Sequence, residues 1–221
     1  MKRISEENNF AYLTVALVIL LFVGAVTDHF PSGLTDTLIE SAAVATLVVG
    51  VWGFRAERLW RRTGLSLVVA ILVIVAFDFI VDLAGLHYLE LVIMFAFFVL
   101  TAWLAARQVL FTGSVDVNKV VGAVCIFLLL GMIWATLYLM VAQAAPGSFN
   151  GLDSVKWHEN FPHLAYFSFV SLTTLGYGDI TPALPVPRFL AYLEAVTGQL
   201  YIAIVIASLV GARISVQKSS R

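Results

Sequence analysis

Charge is scarce in this chain, and cysteine almost absent. Asp, Glu, Lys and Arg make up 12% of its 221 residues while 61% are hydrophobic, about half the charged share of an ordinary soluble domain. That composition makes a membrane protein the first reading, and the length of its apolar runs an all-α membrane protein. The formal net charge is −1 and the basic residues fall in short, scattered clusters. No basic face exists to hold nucleic acid, so no nucleic-acid partner is expected. The single cysteine, Cys125, cannot close an intrachain disulfide and has no ligand-type residue close to it in sequence. It reads as a small buried hydrophobe, and no cofactor is expected. One further absence matters most: between Thr63 and Ala106 there is no lysine or arginine.

What the chain has is long apolar runs. A bilayer crossing takes about 20 apolar residues in a helix. Six runs reach that length: Phe10 to Thr27, Leu34 to Phe54, Leu65 to Ala84, Tyr88 to Ala106, Val117 to Ala142 and Val186 to Ala212. A seventh, Pro162 to Thr173, is too short to span and suits a re-entrant helix, with Pro162 placed as its first residue. The first run is too long, and lacks the small-residue cleavage site, for a removed signal peptide. With six crossings and both termini on one side, that side holds all of the thirteen basic residues except Lys156 and Arg188. The asymmetry predicts a multi-pass cell-membrane protein with cytoplasmic N- and C-termini. The cytoplasmic segments are short, and no regulatory cytoplasmic domain is expected. The Arg55 to Arg62 cluster either touches anionic membrane lipid or simply sets topology.

Between the fifth and sixth crossings stands Ser-Leu-Thr-Thr-Leu-Gly-Tyr-Gly-Asp-Ile-Thr-Pro, residues 171–182. Irregular backbone at membrane depth is tolerated only where it is buried in protein or lines a watery cavity. Glycine takes positive φ without steric cost, so Gly176 and Gly178, alternating with Leu175 and Tyr177, allow successive carbonyls to face one side. The helix before them would aim its partially negative C-terminal end at the same place, favouring a cation.

Thr173-Thr174-Leu175-Gly176-Tyr177-Gly178-Asp179 resembles the selectivity-filter signature of the potassium channel family, with Leu for its commonest Val at 175. The resemblance extends from Val117 to Ala212 in the order outer helix, pore helix, filter, inner helix. It implies that carbonyls of Thr174, Leu175, Gly176 and Tyr177, with the Thr174 hydroxyl, replace the water around K+, and that Gly178 completes the filter. One chain supplies one wall, so it also implies a homotetramer, with K+ as permeant ion and not cofactor. Tyr166 and Phe167 stand where many members have paired tryptophans, and Val170 where some have a carboxylate. These aromatics, Asp179 at the outer mouth and Glu194 behind the pore helix are the expected filter supports. Gly198, at a position where the family often bends its inner helix, reads either as a gating hinge or as a packing glycine.

Two units follow. Residues 1–110 form a four-helix unit that resembles a voltage-sensor domain but lacks basic charges in its fourth helix. Residues 111–221 form the pore domain, with outer helix 117–142, pore helix 162–173, filter 174–179 and inner helix 186–212. A potassium-selective channel with little or no voltage dependence is the leading reading. A nonselective cation channel and a non-conducting subunit are nearer alternatives. A different class, an intramembrane acid-dependent enzyme, would use Asp78 and Asp82, four residues apart on one helical face. The same pair, among the outer-side acids Asp28, Asp36, Glu40, Asp78, Asp82 and Glu90, is alternatively a proton or divalent-cation sensor, or a set of interfacial groups that reach water. All four histidines, His29, His87, His158 and His163, fall on that outer side in this topology.

Overall fold

In lipid an unpaired backbone N–H or C=O meets no water, so long apolar segments close their hydrogen bonds internally as helices. The computed structural model follows that rule. It describes residues 9–27, 32–53, 58–81, 84–110, 117–152 and 156–219, with side chains at 10–27, 33–51, 62–74, 86–109, 118–152 and 156–208. Among the described residues, seven helices and one small two-stranded sheet run in the order α1 (Asn9–Thr27), α2 (Ser32–Gly53), α3 (Arg58–Val81), α4 (Ala84–Leu110), α5 (Val117–Ala144), β1 (Phe149–Asn150), α6 (Trp157–Leu172), β2 (Thr181–Pro182) and α7 (Pro185–Ser219). By length and composition α1, α2, α4, α5 and α7 can each cross a membrane; in α3 the described apolar stretch is Arg62–Ile74.

The helix edges depart from expectation most at α6. It begins at Trp157, not at Pro162, which lies inside the helix. A proline there cannot donate to the His158 carbonyl. The extra turn is held instead by burial: Trp157, His158, Asn160 and Phe161 are all buried. Glu159 in the first turn also suits the positive end of the helix. The inner helix α7 continues past Ala212 to Ser219 without interruption.

Apolar faces give little drive for helix association in lipid, so close packing and a few polar contacts decide who touches whom. The front helices pack on the rear half of their own chain: α4 and α1 lie against α5, and α1 and α2 reach α6. Leu13, Leu17 and Leu20 of α1, Ile39 and Leu47 of α2, and Leu91, Met94, Phe97 and Phe98 of α4 are buried together. Gly50 leaves room on α2 for the Phe97 ring, where a Cβ would come within 2.8 Å of it. Behind, α6 is wedged between α5 and α7. β1 pairs antiparallel with β2, Phe149 opposite Pro182 and Asn150 opposite Thr181, so the segments before α6 and after the 174–179 turn are stitched together.

Candidate functional site: helix α6 and the turn that follows it

The end of α6 dictates the turn. The Thr173 N–H bonds the Phe169 carbonyl at 3.1 Å, Thr174 N–H bonds Ser171 at 2.9 Å, and the Val170 carbonyl accepts from Leu175 N–H at 2.8 Å and Gly176 N–H at 3.4 Å. Carbonyls that a helix leaves unpaired at its C-terminus are thus used to fold the next residues back. Val170 is buried and acts through its backbone.

From there the backbone alternates in hand. Thr174, Gly176 and Gly178 have φ of 58°, 60° and 83°, and no other non-glycine residue among those described has positive φ. Extended backbone points successive carbonyls to opposite sides; alternation of left- and right-handed residues turns them to one side. Glycine at 176 and 178 is the residue that takes this conformation freely. Threonine at 174 does not, at a steric cost of about 1–2 kcal/mol, and nothing in residue type announces it. Residues 173–179 are exposed in the single chain, with Tyr177 68% exposed.

The expected supports separate. Tyr166 stacks on Tyr177, ring centroids 6.3 Å apart and planes 2° from parallel. Phe167, one residue on, faces the other way into an aromatic cluster, 5.0 Å from Tyr138 and 5.5 Å from Phe149. A cleft of about 230 Å³ between α6 and the turn is lined by Tyr166, Phe167, Val170, Gly176, Gly178 and Asp179 among others. Outside it, Gly151 approaches Asp179 so closely that a Cβ would stand 2.6 Å from its carbonyl oxygen.

Glu194 is fully buried on α7. Tyr138 of α5 donates to its Oε2 at 2.6 Å, and the Ser168 hydroxyl of α6 lies 2.6 Å from its Oε1 and 2.7 Å from the Gly131 carbonyl. One carboxylate therefore joins three helices behind the turn. Neither Tyr138 nor Ser168 stood out in the sequence, because nothing local links residues 26 and 56 positions away. Replacing Glu194 by leucine is expected to destabilise the detergent-solubilised protein by about 1–3 kcal/mol, mainly by orphaning the Tyr138 hydroxyl. Adding Tyr138→Phe should restore part of that loss, read as a double-mutant cycle in melting temperature.

Gly198, one turn beyond Glu194, sits against the last residue of α6: an added Cβ would fall inside the van der Waals shell of the Leu172 carbonyl oxygen and 3.0 Å from its carbon. Gln199 Nε2 reaches 3.4 Å from the Thr174 hydroxyl. Cys125 is buried on α5. The side chains of Asp78 and Asp82 lie outside the described residues.

Residues 123–213 match the model of a family described as ion channel. That stretch holds most of α5, all of α6 and the turn, and α7 beyond Gly198. The chain is accordingly an all-α membrane protein with a segment similar to an ion-channel family, and that match points to a channel and not an enzyme; the catalytic reading of Asp78 and Asp82 is set aside. No curated protein and no solved structure matches the chain.

Proposed function

We propose that the chain is a potassium-selective channel, assembled as a homotetramer around the 174–178 turn, with Thr174, Leu175, Gly176 and Tyr177 coordinating K+. The observation that carries this reading is the positive φ at every second residue from Thr174 to Gly178, directly after a helix too short to span the bilayer. Four such walls present rings of carbonyl oxygens that stand in for the hydration shell of the ion. The uncovered apolar side chains of α7, among them Phe189, Val196, Leu200, Ile204 and Ile206, favour assembly and lipid contact over a lone chain. Residues 1–110 then act as a peripheral unit packed on their own pore, with both termini cytoplasmic.

Moving one elementary charge through the membrane field is worth about 2.3 kcal/mol per 100 mV, and steep gating needs roughly three to four charges per subunit. Among the described side chains α4 carries only Glu90 and Arg107 as charges, so voltage dependence is weak or absent. The test is the purified protein in planar bilayers, with potassium on one side and sodium on the other. The reversal potential is expected far from zero, towards the potassium equilibrium value, and the conductance–voltage curve shallow. A reversal near zero would make it a nonselective cation pore. No current from purified tetramers would make it a non-conducting subunit.

A further inference from the structure

The front helices and the pore helix share one polar cluster that the pore does not use. Glu40 on α2, Glu90 on α4 and His158 on α6 each bring one ligand atom into a group that lies within 4.8 Å overall. Glu90 and His158 are both 4% exposed. His158 Nε2 is 2.9 Å from Glu40 Oε1, yet the two are out of line for a hydrogen bond, and this buried nitrogen has no hydrogen-bond partner. The other ring nitrogen, Nδ1, faces Asp36 Oδ1 at 3.8 Å, and that buried oxygen makes no hydrogen bond either. Trp157 covers one face of the imidazole at a centroid distance of 3.8 Å, and His87 of α4 meets it edge-on at 5.9 Å. The ring is held, with its Nε2 beside a carboxylate oxygen to which it makes no hydrogen bond.

A buried imidazole nitrogen that makes no hydrogen bond is costly to leave unsatisfied. A divalent metal is the ligand class that satisfies an imidazole nitrogen and two carboxylates at one point. One nitrogen and two oxygen donors suit zinc and its neighbours; calcium and magnesium prefer oxygen alone. Ligand bonds near 2.0–2.2 Å hold two donors on one ion at most about 4.4 Å apart, so the cluster, now within 4.8 Å, closes slightly around the ion. We propose that Glu40, Glu90 and His158 form a binding site for a zinc-class divalent cation, with a water completing its coordination. Asp36 and Glu40, whose side chains are 27% and 22% exposed, provide the way in. A cation held here fastens α2 and α4 to the beginning of the helix whose other end carries the 174–178 turn.

The site is tested on the purified full chain with Co2+ as a spectroscopic probe and Zn2+ as competitor. One Co2+ per chain is expected, with a visible absorption band that Zn2+ removes, and Zn2+ should raise the melting temperature. Glu40→Gln, at a partly exposed position that a neutral amide can occupy, should weaken Co2+ binding by at least about 10-fold and abolish the thermal shift. His158→Gln should remove binding, while Cys125→Ala should leave it unchanged. The proposal is overturned if the parent binds no Co2+, the outcome a plain His158–carboxylate ion pair predicts. It is equally overturned if Glu40→Gln binds as the parent does, or if Cys125→Ala loses binding. None of these readouts depends on what ion the pore conducts.

Discussion

Alanine at position 198 is expected to lower the melting temperature of the protein by several degrees and to remove channel current. In an exposed helix interior the same change is favourable by about 1 kcal/mol, because glycine is the poorer helix former. Here the new methyl would press on backbone: the Leu172 carbonyl occupies the space, its carbon 3.0 Å from where the Cβ would stand. A carbonyl group at the end of a helix cannot rotate away as a side-chain tip can. Either α7 shifts outward or the end of α6 does, and forced overpacking of this kind costs about 1–3 kcal/mol. Leu172 immediately precedes the residues that fold the turn back on Val170, so the shift reaches the 174–178 backbone at once. The two readings of Gly198 part in one measurement. A hinge glycine replaced by alanine gives a helix at least as stable, with altered gating; a packing glycine gives an unstable protein. The unbroken α7 from Pro185 to Ser219 and the Leu172 contact favour the second. Thermal unfolding in detergent, compared with Val196→Ala on the exposed face of the same helix, separates the local clash from a general effect of substitution in α7.

Much of the architecture was legible because the bilayer allows so few solutions. Apolar runs of spanning length become helices whatever their side chains, so α1, α2, α4 and α5 fall within a few residues of their expected limits. The start of α6 was not legible. Pro162 is a good first residue of a helix, and that local preference outweighed the burial of Trp157 and Phe161, which only the folded chain displays. The turn was half legible. Gly176 and Gly178 advertise positive φ through the lack of a side chain; Thr174 adopts it under constraint from the Val170 carbonyl and its neighbours, with no sign in its type. Tyr166 and Phe167 looked like one aromatic support, but adjacent helix positions differ in direction by about 100°. Only the first touches Tyr177.

Polar partnerships were the least legible, for a physical reason. Sequence displays proximity only between residues three or four apart on a helix, which is why Asp78 and Asp82 looked like the acidic pair to test. The contacts that the described residues make instead cross between helices: Glu194 with Tyr138 and Ser168, and His158 with Glu40. Each lies more than twenty residues from its partner in the chain. Such links follow from how α2, α4 and α6 meet, and no local pattern encodes that meeting. No lysine or arginine stands between Thr63 and Ala106, yet the same unit holds Glu40 and Glu90, which face His158 of α6.

Gly176→Ala is expected to leave folding of the individual chain nearly intact while eliminating potassium flux. A Cβ at 176 meets nothing within 4 Å in the single chain, so no clash opposes it. The cost is conformational: at φ of 60° a residue with a side chain gives up about 1–2 kcal/mol relative to glycine. Thr174 carries the same burden at φ of 58°, so one more such residue is tolerable for one chain. The proposed four-fold pore would multiply it. Four copies at about 1 kcal/mol each lower the population of the aligned backbone by roughly 10³-fold, and relaxation of any one of them turns a carbonyl away from the axis. Flux of potassium into liposomes should therefore fall to background, while melting temperature and tetramer elution stay close to the parent. Replacing Gly147 by alanine is the matched control. It too has positive φ, 81°, and open space around it, but it lies in the loop after α5 and not in the turn. If both variants lose flux together, backbone strain in general is responsible and the carbonyl wall is not. If both conduct normally, the 174–178 turn does not line the pathway of the ion.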